Sequence, residues 1–177
     1  PRIDDVTSAL ANGTYILDQL VPVTIEFSEA VNITGTPQLE LETGDNDAKA
    51  DYNAGTGTTS LTFNYTVATG NESADLDYKA TSSLSAGTSI RDAALNDATR
   101  TLVTPGQATS LGANKDIVID AEPITVNSVS SATANGAYNE GDGIVITVTF
   151  SEIVDVNTTG GTPRIALETG ANDVLVV

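Results

Sequence analysis

The chain has 177 residues, 24 of them Asp or Glu and only 7 Lys or Arg; it has no His, Cys, Met or Trp, and its formal net charge is −17. Without His or Cys, there is no Ser–His or Cys–His catalysis, no zinc site of the usual nitrogen and sulfur ligands, no haem His ligand and no disulfide. So few cations make nucleic acid and anionic membrane surfaces poor partners, and no apolar run reaches the roughly 18–20 residues of a spanning helix. A carboxylate excess of this size still suits solubility or a hard, oxygen-seeking cation, chiefly calcium.

Taken in chain order, the predicted elements are strands. Candidates lie at 3–9, 21–28, 37–43, 47–53, 59–67, 75–80, 115–120 and 144–151. The pattern is clearest at 21–28, where Val21, Val23, Ile25 and Phe27 alternate with Pro22, Thr24, Glu26 and Ser28. At 59–67, Leu61, Phe63, Tyr65 and Val67 alternate with Thr62, Asn64 and Thr66, and Ile144, Ile146, Val148 and Phe150 do the same at 144–151. Period two over such lengths means strands with one buried face. Turn signals separate them: Asn12-Gly13, Gly35-Thr36-Pro37, Gly44-Asp45-Asn46, Gly55-Thr56-Gly57 and Gly70-Asn71. The Asp-rich segment 91–99 reads as a loop. Ala74-x-Leu76-x-Tyr78 reads either as a tyrosine corner or as a plain core tyrosine. Val174–Val177 is uniformly apolar, and reads as a buried strand or as an edge that pairs with another chain. About seven short strands in the first 120 or so residues fit an all-β, immunoglobulin-like sandwich.

An internal repeat organises these strands. ANGTYIL (11–17) matches ANGAYNE (134–140), and VTIEFSEAV (23–31) matches ITVTFSEIV (146–154), both at an offset of 123. GTPQLELETG (35–44) matches GTPRIALETG (161–170) at an offset of 126, so the second copy carries three extra residues around Asn157–Gly160. The last matched pair is Asn46-Asp47 with Asn172-Asp173. The chain therefore divides into a complete unit, 1–121, and the first part of a homologous second, 122–177. It begins at Pro1 with no visible signal peptide, which predicts a mature or excised piece of something longer.

The run A-N-G-x-Y, V/I-T-x-x-F-S-E-x-V, G-T-P-x-L/I-x-L-E-T-G resembles the tandem bacterial immunoglobulin-like, cadherin-like repeats of large surface proteins and adhesins. SLTFNYTVATGNESADLDY (60–78), SIRDAALNDA (89–98) and SLGANKDIVIDAEP (110–123) continue the pattern, so the resemblance covers the whole chain. It implies an extracellular, rod-like array of sandwiches, commonly calcium-stabilised. One departure stands at Asp92-Ala-Ala-Leu-Asn96, where Leu95 replaces a glycine frequent in the family; a tight loop there is not expected.

With the usual strand order, carboxylates converge on the junction between units. The turns at the far pole of the first unit carry Asp18, Asp45, Asp47, Asp75 and Asp77; the linker supplies Asp120 and Glu122; Glu152 of the second unit faces the same junction. Such a set suits calcium, which takes six to eight oxygens in flexible geometry. A second candidate site at the other pole comprises Glu29, Asp92, Asn96 and Asp97, with Asp4 and Asp5 before them. The alternative for all of them is a solvated acidic surface. D-N-D-A-K-A-D (45–51) fails as an EF-hand, because Lys49 and Ala50 stand where a ligand and a glycine are needed. Glu42-Thr43-Gly44 and Glu168-Thr169-Gly170 read as strand-end turns rather than an aspartic-protease pair. Glu29 and Glu152 are one position in two units rather than a glycosidase pair. Five Asn-x-Ser/Thr sequons occur, at Asn12, Asn32, Asn64, Asn71 and Asn157, and the alternation puts Asn64 on an exposed face.

The expected function is non-catalytic: an extracellular, cell-surface spacer, stalk or adhesive rod, stiffened by calcium at its junctions. Its partners are neighbouring repeats of the same chain or identical subunits, with surface glycans or proteins as further candidates. The second unit has no counterpart of the last three strands of a sandwich, so it is expected to expose its core and a strand edge. Truncation of a longer array, disorder, or completion by strands of a neighbouring subunit in a self-assembling filament would each account for this. A carbohydrate-binding module is a further alternative, weakened by the absence of Trp and by Tyr15, Tyr52, Tyr65, Tyr78 and Tyr138 standing mostly at repeat or core positions.

Overall fold

In the computed structural model, residues 1–169 and 173–177 are described. The chain is all-β apart from one helical turn, and it forms two compact units, Pro1–Pro123 and Ile124–Val177. The second E-T-G turn and the Asn172 match fall partly on residues 170–172, outside the described residues.

Unit 1 contains β1 (Ile3–Thr7), β2 (Gly13–Tyr15), β3 (Leu20–Thr34), β4 (Gln38–Leu41), β5 (Ala48–Ala54), β6 (Thr58–Thr66), β7 (Glu72–Ser73), β8 (Ser89–Arg91), α1 (Leu111–Asn114) and β9 (Ile117–Asp120). One sheet runs β1-β3-β6-β5-β4, with β8 on the far end of β3; a second runs β2-β9-β7. Both sheets contribute to one hydrophobic cluster. Its centre is the pairing of β3 with β6: Val21 lies opposite Tyr65, Val23 opposite Phe63 and Ile25 opposite Leu61, all buried. Burying each such side chain stabilises the fold by roughly 1.5–3 kcal/mol, which is why the alternating runs dominate the architecture.

The segment expected as a strand at 75–80 is irregular. Leu76, Asp77 and Tyr78 are consecutive and all buried, which a strand of period two cannot accommodate. The segment instead lies along the outer edge of β4: the Glu42 amide donates to the Asp77 carbonyl (2.9 Å), Lys79 to Glu40 (3.1 Å), and Ser85 to Gln38 (2.9 Å). The Tyr78 hydroxyl donates to the Val103 carbonyl at 2.8 Å, 25 residues downstream. A tyrosine corner would return to the backbone just upstream, so Tyr78 is a core tyrosine with its hydroxyl satisfied.

The loop at 92–96 is tight despite Leu95. The Asp92 carboxylate accepts from the Asn96 amide (2.8 Å) and the Asn96 side chain (2.7 Å), and the Leu95 amide donates to the Asp92 carbonyl (3.1 Å). Leu95 takes the left-handed conformation (φ 68°) that a glycine would take without strain, and its side chain projects into solvent. The Asp92–Asn96 clamp therefore forms the turn that its leucine opposes.

Unit 2 contains β10 (Val126–Ser130), β11 (Thr147–Phe150), β12 (Ile165–Leu167) and β13 (Val174–Val176). β10 pairs with β11 at the registers Val126–Phe150, Ser128–Thr149, Val129–Val148 and Ser130–Thr147. In unit 1, β1 and β3 pair as Ile3–Phe27, Asp5–Glu26, Val6–Ile25 and Thr7–Thr24. These are the same pairs shifted by 123, including an irregularity after the first pair. Likewise β12 and β13 pair as Ile165–Val176, Ala166–Leu175 and Leu167–Val174, the β4–β5 pairs Leu39–Ala50, Glu40–Lys49 and Leu41–Ala48 shifted by 126. The strand expected at 144–151 is only four residues long. Residues 20–23 of β3 have a ladder partner only in β6, and among the described residues unit 2 has no strand in that position.

Candidate functional site

Several of the predicted cation ligands of unit 1 have hydrogen-bond or ion-pair partners close by. Asp18 sits in the turn before β3 with φ 67°, its amide donating to the Val67 carbonyl at 2.9 Å. Asp45 is exposed in the turn between β4 and β5. Asp47, next to it, forms an ion pair with Lys79. Asp77 is buried, and its oxygens accept from the amides of Tyr78 (2.8 Å) and Gly106 (2.9 Å). Asp92 is taken up by Asn96, and those donors hold its carboxyl below the usual carboxylate range. Glu29 pairs with the N-terminal amine at 3.0 Å, Asp4 with Arg2 at 3.0 Å, and Asp97 with Arg91 at 2.6 Å. Asp5 accepts from the Asn114 side chain at 2.7 Å. Asp120, Glu122 and Glu152 are exposed.

Only Asp75 shows mutual crowding. Desolvation raises its carboxyl, and the neighbouring charges of Asp116 and Asp77 raise it further. Asp116, which the sequence reading did not single out, follows the α1 turn. That turn is capped by Ser110, whose side chain accepts from the Ala113 amide. Among the described residues no three carboxylates stand close enough together to hold a metal ion. Within unit 1, both carboxylate oxygens of Asp77 and of Asp92 accept from N–H donors.

The sequons divide by burial. Asn71 is 4% exposed; its carbonyl accepts from the Tyr65 hydroxyl (2.9 Å) and the Ala68 amide (3.0 Å), and its amide group donates to the Asn46 carbonyl (3.2 Å). It is a structural bracket and has no room for a glycan. Asn64, expected on an exposed face, is half-buried in the central strand, while Asn12, Asn32 and Asn157 are exposed. Thr43 of the first E-T-G is fully buried, donating to the Asn46 carbonyl and accepting from the Ala48 amide, which makes that motif a turn lock.

In unit 1 the tyrosines are structural. Tyr65 and Tyr78 lie in the core, and burial pushes the Tyr65 hydroxyl up to about 12. Tyr52 stacks edge-on against Phe63 and accepts from the Thr56 amide. Tyr15 donates to the Ala11 carbonyl at 2.8 Å, and in unit 2 Tyr138 donates to the Ala134 carbonyl.

A groove of about 650 Å³ lies within unit 2, lined chiefly by Ile144, Ile146, Val148, Phe150, Ile165 and Val176. Its counterparts in unit 1, Val21, Val23, Ile25 and Phe27, are buried core residues. Among the described residues, Asp142 and Arg164 are the charged ones on its lining. No protein-family model, curated protein or solved structure matches this chain.

Proposed function

We propose that the chain is a non-catalytic structural module of an extracellular cell-surface adhesin or stalk, built from immunoglobulin-like sandwich units in tandem. The observation that carries this reading is the recurrence of strand registers: β10–β11 reproduces β1–β3 at an offset of 123, and β12–β13 reproduces β4–β5 at 126. Elements that recur with their pairing suit an array whose work is to span distance. Charge supports it too, since a surface of net charge −17 repels its neighbours and stays soluble.

Calcium belongs to this proposal as the stiffening cation of the array, bound by carboxylates and backbone oxygens. Thermal unfolding and small-angle scattering of the full chain, with calcium and with a chelator, test it. A higher melting temperature and a fixed maximum dimension in calcium are expected. Identical curves in both conditions would remove calcium from the reading.

A further inference from the structure

A further concavity lies wholly within unit 1, a cleft of about 360 Å³ between the segments 81–84 and 98–101. Its walls are pinned by main-chain bonds. The Ser83 amide donates to the Ala80 carbonyl (3.0 Å), and the Ser83 hydroxyl accepts from the Ala80 amide (2.9 Å). Opposite, the Ala98 amide donates to the Ile90 carbonyl (2.9 Å), and the Leu102 amide donates across to the Thr81 carbonyl (2.9 Å). Leu84 and Ala98, both part of the core cluster, give the cleft an apolar floor. Its volume lies at the small end of ligand sites, which span roughly 300–1,000 Å³.

The chemistry of the cleft is the reverse of the chain's as a whole. The chain has 24 Asp and Glu, yet the charged residue on this lining is Arg100. One guanidinium nitrogen of Arg100 donates to the Leu84 carbonyl at 3.0 Å, which orients the fork and leaves its other N–H groups for a ligand. Among the described residues Arg100 has no ion-pair partner, whereas Arg2, Lys79 and Arg91 each have one. Asp97 feels the Arg100 charge but is held by Arg91. Beside Arg100 stand the hydroxyls of Thr81, Ser82, Thr99 and Thr101, each able to donate and to accept.

We propose that this cleft binds a sugar bearing a carboxylate, a hexuronic acid residue of an acidic glycan. A guanidinium fork takes a carboxylate through two parallel hydrogen bonds. The ring hydroxyls of the sugar meet the four side-chain hydroxyls, and a C–H face of the ring rests on Leu84 and Ala98. The lining has no aromatic ring for stacking, so hydrogen bonds and the charge carry the recognition. It also has no carboxylate, so a hard cation finds no anionic ligand there. The proposal concerns unit 1 alone and stands apart from the stalk reading.

Methyl β-glucuronide, methyl β-glucoside and sodium acetate are each titrated into the full chain, with backbone amide shifts followed by NMR. The glucuronide is expected to bind saturably, with its shifts at 81–84 and 98–101. The glucoside, which lacks the carboxylate, and acetate, which lacks the ring, are each expected to bind at least tenfold more weakly. Arg100→Gln is expected to weaken glucuronide binding to the level of the glucoside. Thr101→Val, at an exposed position, is expected to weaken it roughly two- to tenfold with the melting temperature unchanged; it carries the test if the Arg100 variant fails to fold. No saturable binding, shifts elsewhere on the chain, or affinity unchanged in the folded variants would overturn the proposal. So would acetate or the glucoside binding as tightly as the glucuronide, since the site would then read a bare anion or a neutral sugar.

Discussion

β3 and β11 begin from nearly the same sequence, VTIEFSEAV against ITVTFSEIV, and pair with their first partners, β1 and β10, at the same registers. β3 extends over 15 residues and buries Val21, Val23, Ile25 and Phe27; β11 extends over four, and Ile144 at its entrance is half exposed to solvent. The difference is β6. A strand's apolar face gains little from alternation until a second neighbour closes the other edge and brings its own side chains over the trough. Local sequence selects the register of the first pair, whereas the length of the strand and the burial of its face depend on a partner some forty residues away.

Substituting the same position in both units gives the largest contrast. Phe27→Ala removes a core ring and is expected to cost about 3–5 kcal/mol, while Phe150→Ala, at the groove wall, is expected to cost less than about 1 kcal/mol. Urea denaturation monitored by amide exchange in each unit reads both. Equal losses would mean that unit 2 is covered in solution and would break the contrast.

Asn71→Ala strips three hydrogen bonds from a buried bracket of unit 1. A loss of about 1–3 kcal/mol confined to unit 1 is expected, read by the same denaturation. Leu95→Gly works in the opposite direction. It relieves a left-handed leucine at about 1–2 kcal/mol and gives part of that back in unfolded-chain entropy. A gain of about 0.5 kcal/mol is expected, seen as a slightly higher melting temperature.

The smallest effects are electrostatic and have opposite signs. Asp92 has a folded carboxyl below its ordinary value, so its contribution is present at neutral pH and is lost as acid protonates it, below the ordinary aspartate range. Asp75 has a folded carboxyl above its ordinary value, so it opposes folding once ionised and ceases to do so in acid. Asp75→Asn is therefore expected to raise the melting temperature at pH 7 and to have no effect near pH 2. Asp92→Asn is expected to lower it at pH 7, with the deficit vanishing in acid. Thermal melts of each variant across that range would show whether the two slopes separate.

Period-two alternation made the all-β class legible; β1, β4, β5, β6 and β9 lie within a few residues of their expected bounds, while β3 runs six residues past its expected end at 28. It failed at 75–80, because Leu76, Asp77 and Tyr78 face inward consecutively, a geometry held by the edge of β4 rather than by the local pattern. The short strands β2, β7 and β8 carry too few side chains to alternate, and pair because longer strands offer them an edge. The acidic residues were legible as residues of turns but not in their pairing. Nothing local marks Lys79 as the partner of Asp47, or Asn96 as the donor that occupies Asp92. The Asp92 turn shows the limit most plainly, since a leucine at the glycine position argued against the tight turn that a side-chain clamp nevertheless closes within the predicted loop.

Tyr15 and Tyr138 each reach back four residues to a carbonyl, Ala11 and Ala134 respectively. A brace whose donor and acceptor lie within one short word of sequence travels with that word. It asks nothing of the opposite sheet and closes in both units. Such self-contained clasps are what gene duplication can copy without loss, whereas contacts shared across distant strands must be acquired again by every new neighbour.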